Sequence, residues 1–232
     1  MAMIPLRVDV PTDRTPWVNY ALMGLCVLCY FAAPPGSESF YDMAGMQVTE
    51  TFFGDEVVFP SKPTWIIGFT SLFAHAGLIH LVGNMLFLWI FGNAINYKFG
   101  HLGYAAVFLL GGWLAYMIHL EYEGGPAVGA SGAIYAVMGA FLVFFPRNDI
   151  TAVWVFLPIA TRTFTVSSGW LLVYFIGWDI LYLTVGADAG VAFAAHVGGF
   201  VCGLLAAVAL AALGVVRATQ DEQTLLGLLR RG

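Results

Sequence analysis

The sequence predicts an all-α membrane protein, a compact bundle of six transmembrane helices with both termini cytoplasmic. Three observations carry that reading. Of the 232 residues, 60% are hydrophobic and only 10% charged, against about 25% charged in soluble domains, and the mean hydropathy is +0.83. Six windows have the length, roughly 20 mostly apolar residues, that a spanning helix needs. Lys and Arg then gather on one side of those six windows. The length suits a single unit over residues 1–232.

The first sixteen residues hold Arg7, Asp9, Asp13 and Arg14 among Pro5, Pro11 and Pro16. They read as polar and turn-rich, not as a cleavable signal peptide. The first window is 17–33, closed by Pro34, Pro35 and Gly36. Residues 34–64 read as a long polar connection rich in Glu and Asp. A charge-free stretch then runs from Thr64 to Tyr97, with its helical core at 78–95. Windows 101–120, 127–145, 168–185 and 191–216 complete the set. Thr151–Ala160 is apolar but too short to span, and Pro158 interrupts it, so it reads as lying at the membrane interface.

Six helices put both termini on one side. Arg7, Arg14, Lys98, Arg147, Arg162, Arg217, Arg230 and Arg231 fall on that side and only Lys62 on the other, which makes the shared side cytoplasmic. The net charge of −5 comes without any basic cluster, so nucleic acid is not an expected partner. Cys26 and Cys29 form a CxxC pair inside an apolar window and Cys202 lies in another. Packing accounts for them better than a disulfide framework, redox chemistry or a metal.

The stretch that needs a chemical explanation is GASGAIYAVMGA, Gly129–Ala140. It sets one hydroxyl, Ser131, among small residues at the start of an apolar helix, where backbone or substrate can approach closely. A membrane serine can simply bond back to its own helix. Here, however, two other windows carry polar groups that no structural need explains, His80 and Asn84 in one and His196 in the other. Counting 1.5 Å per residue from the outer helix starts puts Ser131 on the order of 6 Å deep and His196 on the order of 8 Å. His80 and Asn84 fall on the order of 3 to 9 Å deep. The four share one shallow layer.

Gly132, Ala136 and Ala140 form a small-residue stripe on one helix, and Ala195, Gly199 and Gly203 another. Such stripes let helix backbones meet closely, which would bring Ser131 and His196 together. Tyr135, one turn below Ser131, could support the imidazole. Ser131 would then be the nucleophile and His196 its general base, later the acid that protonates the leaving amine. His80 and Asn84 share a face at i and i+4. With the Ser131 N–H they would supply donors for an oxyanion. Asp179 is estimated at on the order of 9 Å deep. It could orient His196, stand protonated or bond to a neighbouring helix. His75 reads as a cap or loop contact, and His101 and His119 as interfacial.

These residues resemble the rhomboid intramembrane serine proteases, in particular the short six-helix bacterial members. IPLRVDVPTDRTPWVNYAL is similar to their amino-terminal entry and HAGLIHLVGNMLFLWIFG to their second-helix motif. GASGAIYAVMG resembles the nucleophile motif and AAHVGGFVCG the sixth-helix motif. The resemblance implies a Ser131–His196 dyad with His80 and Asn84 at the oxyanion; Tyr135, Gly129, Gly132, Gly199 and Gly203 read from the sequence itself as supporting residues. It implies transmembrane proteins as substrates, the lipid bilayer as surroundings, no cofactor and no metal. It also implies a multi-pass protein of the bacterial cytoplasmic membrane. Asp179 is not among the family's agreed catalytic positions.

Two other readings compete. A catalytically silent relative would bind and route membrane-protein clients, but such relatives usually lack the serine or the histidine. A small transporter or channel would want polar groups through the full bilayer depth or an internal repeat. The polar layer here is confined to the outer third.

Overall fold

The computed structural model describes residues 2–10, 14–50, 56–60, 62–156, 160–186, 190–219 and 222–230. In chain order its elements begin with β1 (Ala2–Val8), α1 (Trp17–Ala32), α2 (Glu38–Ala44), β2 (Met46–Glu50), β3 (Glu56–Pro60) and α3 (Thr64–Thr70). Then come α4 (Leu78–Phe87), α5 (Asn93–Tyr122), α6 (Ser131–Phe144), β4 (Asp149–Phe156), β5 (Ala160–Ser167), α7 (Ser168–Val185), α8 (Phe193–Ala212) and α9 (Leu225–Leu229).

Helices dominate, but the all-α expectation is corrected by two small antiparallel sheets, β1-β4-β5 and β2-β3. Residues 151–156, expected to be an interfacial segment, belong to the central strand of the first sheet; Pro158 lies outside the described residues. The cause is a period of two. Ile150 and Ala152 turn inward and are fully buried, while Thr151 and Val153 occupy the other face. On β5, Thr163 and Thr165 supply β-branched side chains. Residues 2–8, expected to be turn-rich, pair with β4 from Ala2↔Val155 to Val8↔Ile150. The described residues of the 34–64 connection include α2, β2 and β3. Ser37 Oγ caps α2 by accepting the Phe40 N–H at 3.1 Å, and Phe40 packs against Ala33 and Ala74.

Among the described residues, three segments are long and apolar enough to cross a membrane: Leu78–Tyr122, Ser168–Val185 and Phe193–Ala212. Trp17–Ala32, Thr64–Phe73 and Ser131–Phe144 are shorter apolar helices. Leu78–Tyr122 has 45 residues. Drawn out straight it would run about 70 Å, roughly twice a bilayer's apolar core. It breaks at Gly100, whose φ of 70° and ψ of 175° are far from helical. A left-handed φ there suits glycine alone.

The helix α6 sits at the centre. Eleven of its fourteen residues are buried, the pattern of a helix covered on most sides. Small residues permit this. Gly111 and Gly112 of α5 leave no room for a Cβ against Ala136 and Ala133 of α6. On the other flank, a Cβ at Gly199 of α8 would collide with the Gly132 carbonyl oxygen, and one at Gly203 with the Ala136 carbonyl. A Cβ at Gly139 would strike Phe200 O in return. The two helices run parallel with their backbones in contact.

A buried polar knot fixes α1 to this core. A π-turn over Leu88–Gly92 loosens the helical ladder, and Asn19 Nδ2 donates to the Leu88 carbonyl and to Asn93 Oδ1, each at 2.8 Å. The Tyr104 hydroxyl donates to Asn19 Oδ1. The Asn19 N–H, a first-turn donor without a helical partner, reaches Asn96 Oδ1 at 3.1 Å. At the end of the bundle that carries Gly100, Lys98 pairs with Glu222 and Arg147 Nη1 donates to Gln223 at 3.1 Å.

Candidate active site

The helix α6 begins at Ser131, four residues later than the 127–145 window. The chain before it turns at Gly124, Gly125 and Gly129, all at positive φ, and the Gly129 N–H donates to the Ser71 carbonyl at 2.9 Å. Ser131 is thus the first residue of the helix rather than a turn inside it, and the depth counted along the chain does not apply. As a first-turn residue its N–H has no intrahelical acceptor, and the positive end of the helix dipole lies beside it.

Gly129 is the hinge of the arrangement. Its φ is +109°, and a Cβ there would stand 2.6 Å from His80 Nε2 and Cε1 and 3.4 Å from Asn84 Nδ2. The bare Cα of Gly129 therefore forms the wall against which the His80 ring rests. Asn84, one turn along α4, is buried, and its Nδ2 has no hydrogen-bond partner among the described residues. An unpaired buried amide is costly and calls for an explanation, of which a catalytic role is one. His75 lies just before α4. Its Nδ1–H donates to the Phe73 carbonyl at 3.2 Å, and its ring meets that of His80 edge-on at 5.2 Å between centroids. Burial, with His80 beside it, pushes the His75 imidazole down to about 4. It is neutral at pH 7 and supports His80 by contact.

On the facing side stands His196, in the first turn of α8. Tyr135 stacks on its ring with centroids 4.2 Å apart and planes 8° from parallel. His196 Nδ1–H donates to Asp179 Oδ2 of α7 at 3.2 Å. The Nε2 atom is thereby left as the ring's acceptor. His80, Asn84, Ser131, Tyr135 and His196 all line one cleft of about 870 Å³. Of the α6 residues, Ser131 and Tyr135 are two of the three that escape full burial, and both face this cleft.

The remaining histidines stand apart. His119 is buried, and its Nδ1–H donates to Glu123 at 2.6 Å. His101 accepts from Asn96 Nδ2 at 3.0 Å. The contact of Asp179 with His196 is the feature the sequence left open. An acid inside an apolar window was its only signal.

Fold and cleft together define a helical membrane protein with a polar, serine- and histidine-lined site between its helices. The Rhomboid domain family matches residues 62–213, about two thirds of the chain, and the chain belongs to the rhomboid family. It is 31% identical over 149 residues to RHOMBOID-like protein 12, mitochondrial, of Arabidopsis thaliana, covering 56% of this chain and 42% of that one. It is 33% identical over 144 residues to the human Presenilin-associated rhomboid-like protein, mitochondrial, covering 58% and 35%. Against RHOMBOID-like protein 1 of Arabidopsis thaliana the figures are 29% over 138 residues, 59% and 32%. The chain thus spans less than half the length of these relatives. They are eukaryotic, two are mitochondrial by name, and they lend no support to a bacterial cytoplasmic membrane.

Proposed function

We propose that this chain is an intramembrane serine protease, a single membrane unit of six spans with both termini cytoplasmic, that hydrolyses peptide bonds in or near transmembrane segments of other membrane proteins. The observation that carries the reading is the shared cleft. It joins a hydroxyl at the start of α6, an imidazole whose Nδ1 is engaged so that Nε2 is its acceptor, and an amide donor with no partner among the described residues.

The chemistry follows from those atoms. Ser131 Oγ attacks the substrate carbonyl carbon while His196 Nε2 takes its proton. Charge develops on the carbonyl oxygen, and the Ser131 N–H, Asn84 Nδ2 and a His80 ring N–H are the donors for it. The imidazolium then protonates the leaving amine, which breaks the C–N bond and leaves an acyl-enzyme. Water, activated by the same nitrogen, hydrolyses that ester and restores Ser131. The cleft is large enough to admit it. A substrate helix must unwind locally to offer a carbonyl here, since a regular helix has its carbonyls bonded internally.

Labelling by a fluorophosphonate tests the reading directly. The purified protein is expected to take one label, at Ser131. No label on folded protein that still binds membrane clients would point to the silent, client-binding alternative. Asn84→Ala separates the oxyanion donors from substrate binding. Its bond would form mainly in the transition state, so kcat is expected to fall about 10²-fold or more with KM within about twofold. An unchanged kcat with a raised KM would make Asn84 a substrate-binding residue.

A further inference from the structure

We propose that Asp179 is a positioning residue that holds His196 in the tautomer the Ser131–His196 dyad needs. The proposal rests on the protease reading of Ser131 and His196.

A carboxylate inside a membrane helix is expensive and persists where a partner or a function holds it. The placement of Asp179 is selective. Among the residues of α7 beyond Leu172, Asp179 is the buried one, while its neighbours Trp178 and Ile180 are exposed on the bundle's outside. The acid is turned inward onto α8, 7% exposed, against an imidazole that is 9% exposed. Its Oδ2 accepts from His196 Nδ1 at 3.2 Å. That bond places the ring proton on Nδ1 and keeps Nε2 as the base. Tyr135 completes the clamp. Its ring lies flat on the imidazole. The imidazole is held in plane by one contact and across its face by the other.

A simple interhelical staple would use the same two atoms, so the test must distinguish the roles. Asp179→Asn preserves the shape and the capacity to bridge α7 and α8. The neutral amide no longer stabilises the imidazolium, and its NH₂, where it turns to Nδ1, makes that nitrogen an acceptor. The ring proton then shifts to Nε2, which can no longer accept from Ser131. The same isosteric change in a soluble Ser–His–Asp triad lowers kcat by about 10⁴.

The experiment measures kcat, KM, fluorophosphonate labelling and thermal midpoint for wild type, Asp179→Asn, Asp179→Glu and Ser131→Ala. For Asp179→Asn we expect kcat to fall about 10²-fold or more, with slower labelling in parallel and KM within about twofold. The thermal midpoint should be unchanged, and Asp179→Glu should recover part of the loss. If Asp179→Asn turns over within about twofold of wild type while Ser131→Ala is inactive, Asp179 is a staple and the protease reading stands. If wild type neither labels nor cleaves, the protease reading itself falls and the positioning role with it. Should Asp179→Asn fail to fold, ¹⁵N imidazole NMR on wild type decides. The His196 resonance, assigned by its loss in His196→Gln, is expected in the Nδ1–H form, and the Nε2–H form would overturn the proposal.

Discussion

Ser131→Ala is expected to abolish cleavage of a transmembrane substrate and all fluorophosphonate labelling while leaving the fold intact. The change removes one oxygen from the first position of α6, between Ala130 and Gly132, which are themselves buried. Alanine is also the better helix former, so the thermal midpoint should hold or rise slightly. The loss is expected to be large because the nucleophile and base act as a unit. Removing the serine from such a unit costs on the order of 10⁶ in kcat, which puts the variant below detection in a membrane assay. Nothing else in the cleft can replace the oxygen: His80, Asn84, Tyr135 and His196 offer no second activated hydroxyl beside the His196 ring except the Tyr135 phenol, which lies stacked flat on that ring. Cleavage by Ser131→Ala at the wild-type rate would end the serine-protease reading, whatever the standing of the other residues.

How much of this was legible beforehand differs from element to element. The apolar windows announced α1, α5, α7 and α8 because hydropathy over a membrane-length window is a strong, local signal. The small-residue stripes announced the meeting of α6 and α8, since only glycine leaves a backbone carbonyl room to lie against a Cα. Hydropathy starts α6 too early because Ala127 and Val128 are apolar. What ends the loop there is the left-handed Gly129, a backbone feature that hydropathy does not register. Hydropathy misreads the strand β4 for a related reason. Its alternation of Ile150, Ala152 and Trp154 with Thr151 and Val153 is a period-two signal, but nearly every member is apolar, so a hydropathy count sees an undifferentiated run. The Asn19 knot and the Asp179–His196 bond join residues 69 to 85 and 17 positions apart. Such pairings depend on the rotation of each helix about its axis, which a single sequence fixes only loosely.

Adding a single methyl group to Gly199 is expected to disable the site without touching any of its polar atoms. The Gly199 Cα lies against the Gly132 carbonyl oxygen, and a Cβ has no space between them. The obstacle is backbone, which cannot turn aside as the end of a flexible side chain can. Gly199→Ala therefore has to push α8 away from α6 locally. Gly132 is the residue after Ser131, and Gly199 lies one turn along α8 from His196. A displacement of about 1 Å between these two turns can cost on the order of 10²-fold in rate. Overpacking of this kind typically costs about 1–3 kcal/mol of stability, which a bundle with its remaining contacts intact can survive. Valine is the poorer probe, because its added branches meet the same carbonyl and threaten folding outright. We expect Gly199→Ala to give a folded protein with a lowered thermal midpoint, poor cleavage and slow labelling at an intact Ser131. Two controls bracket it. Val201→Leu alters an exposed position of α8, and Gly24→Ala adds a Cβ where nothing lies within 4 Å; both should be nearly silent. Full activity in Gly199→Ala would show that α6 and α8 do not meet along this line in the working protein. The route from small residues to the placing of Ser131 beside His196 would then be closed, even with both residues still required for cleavage.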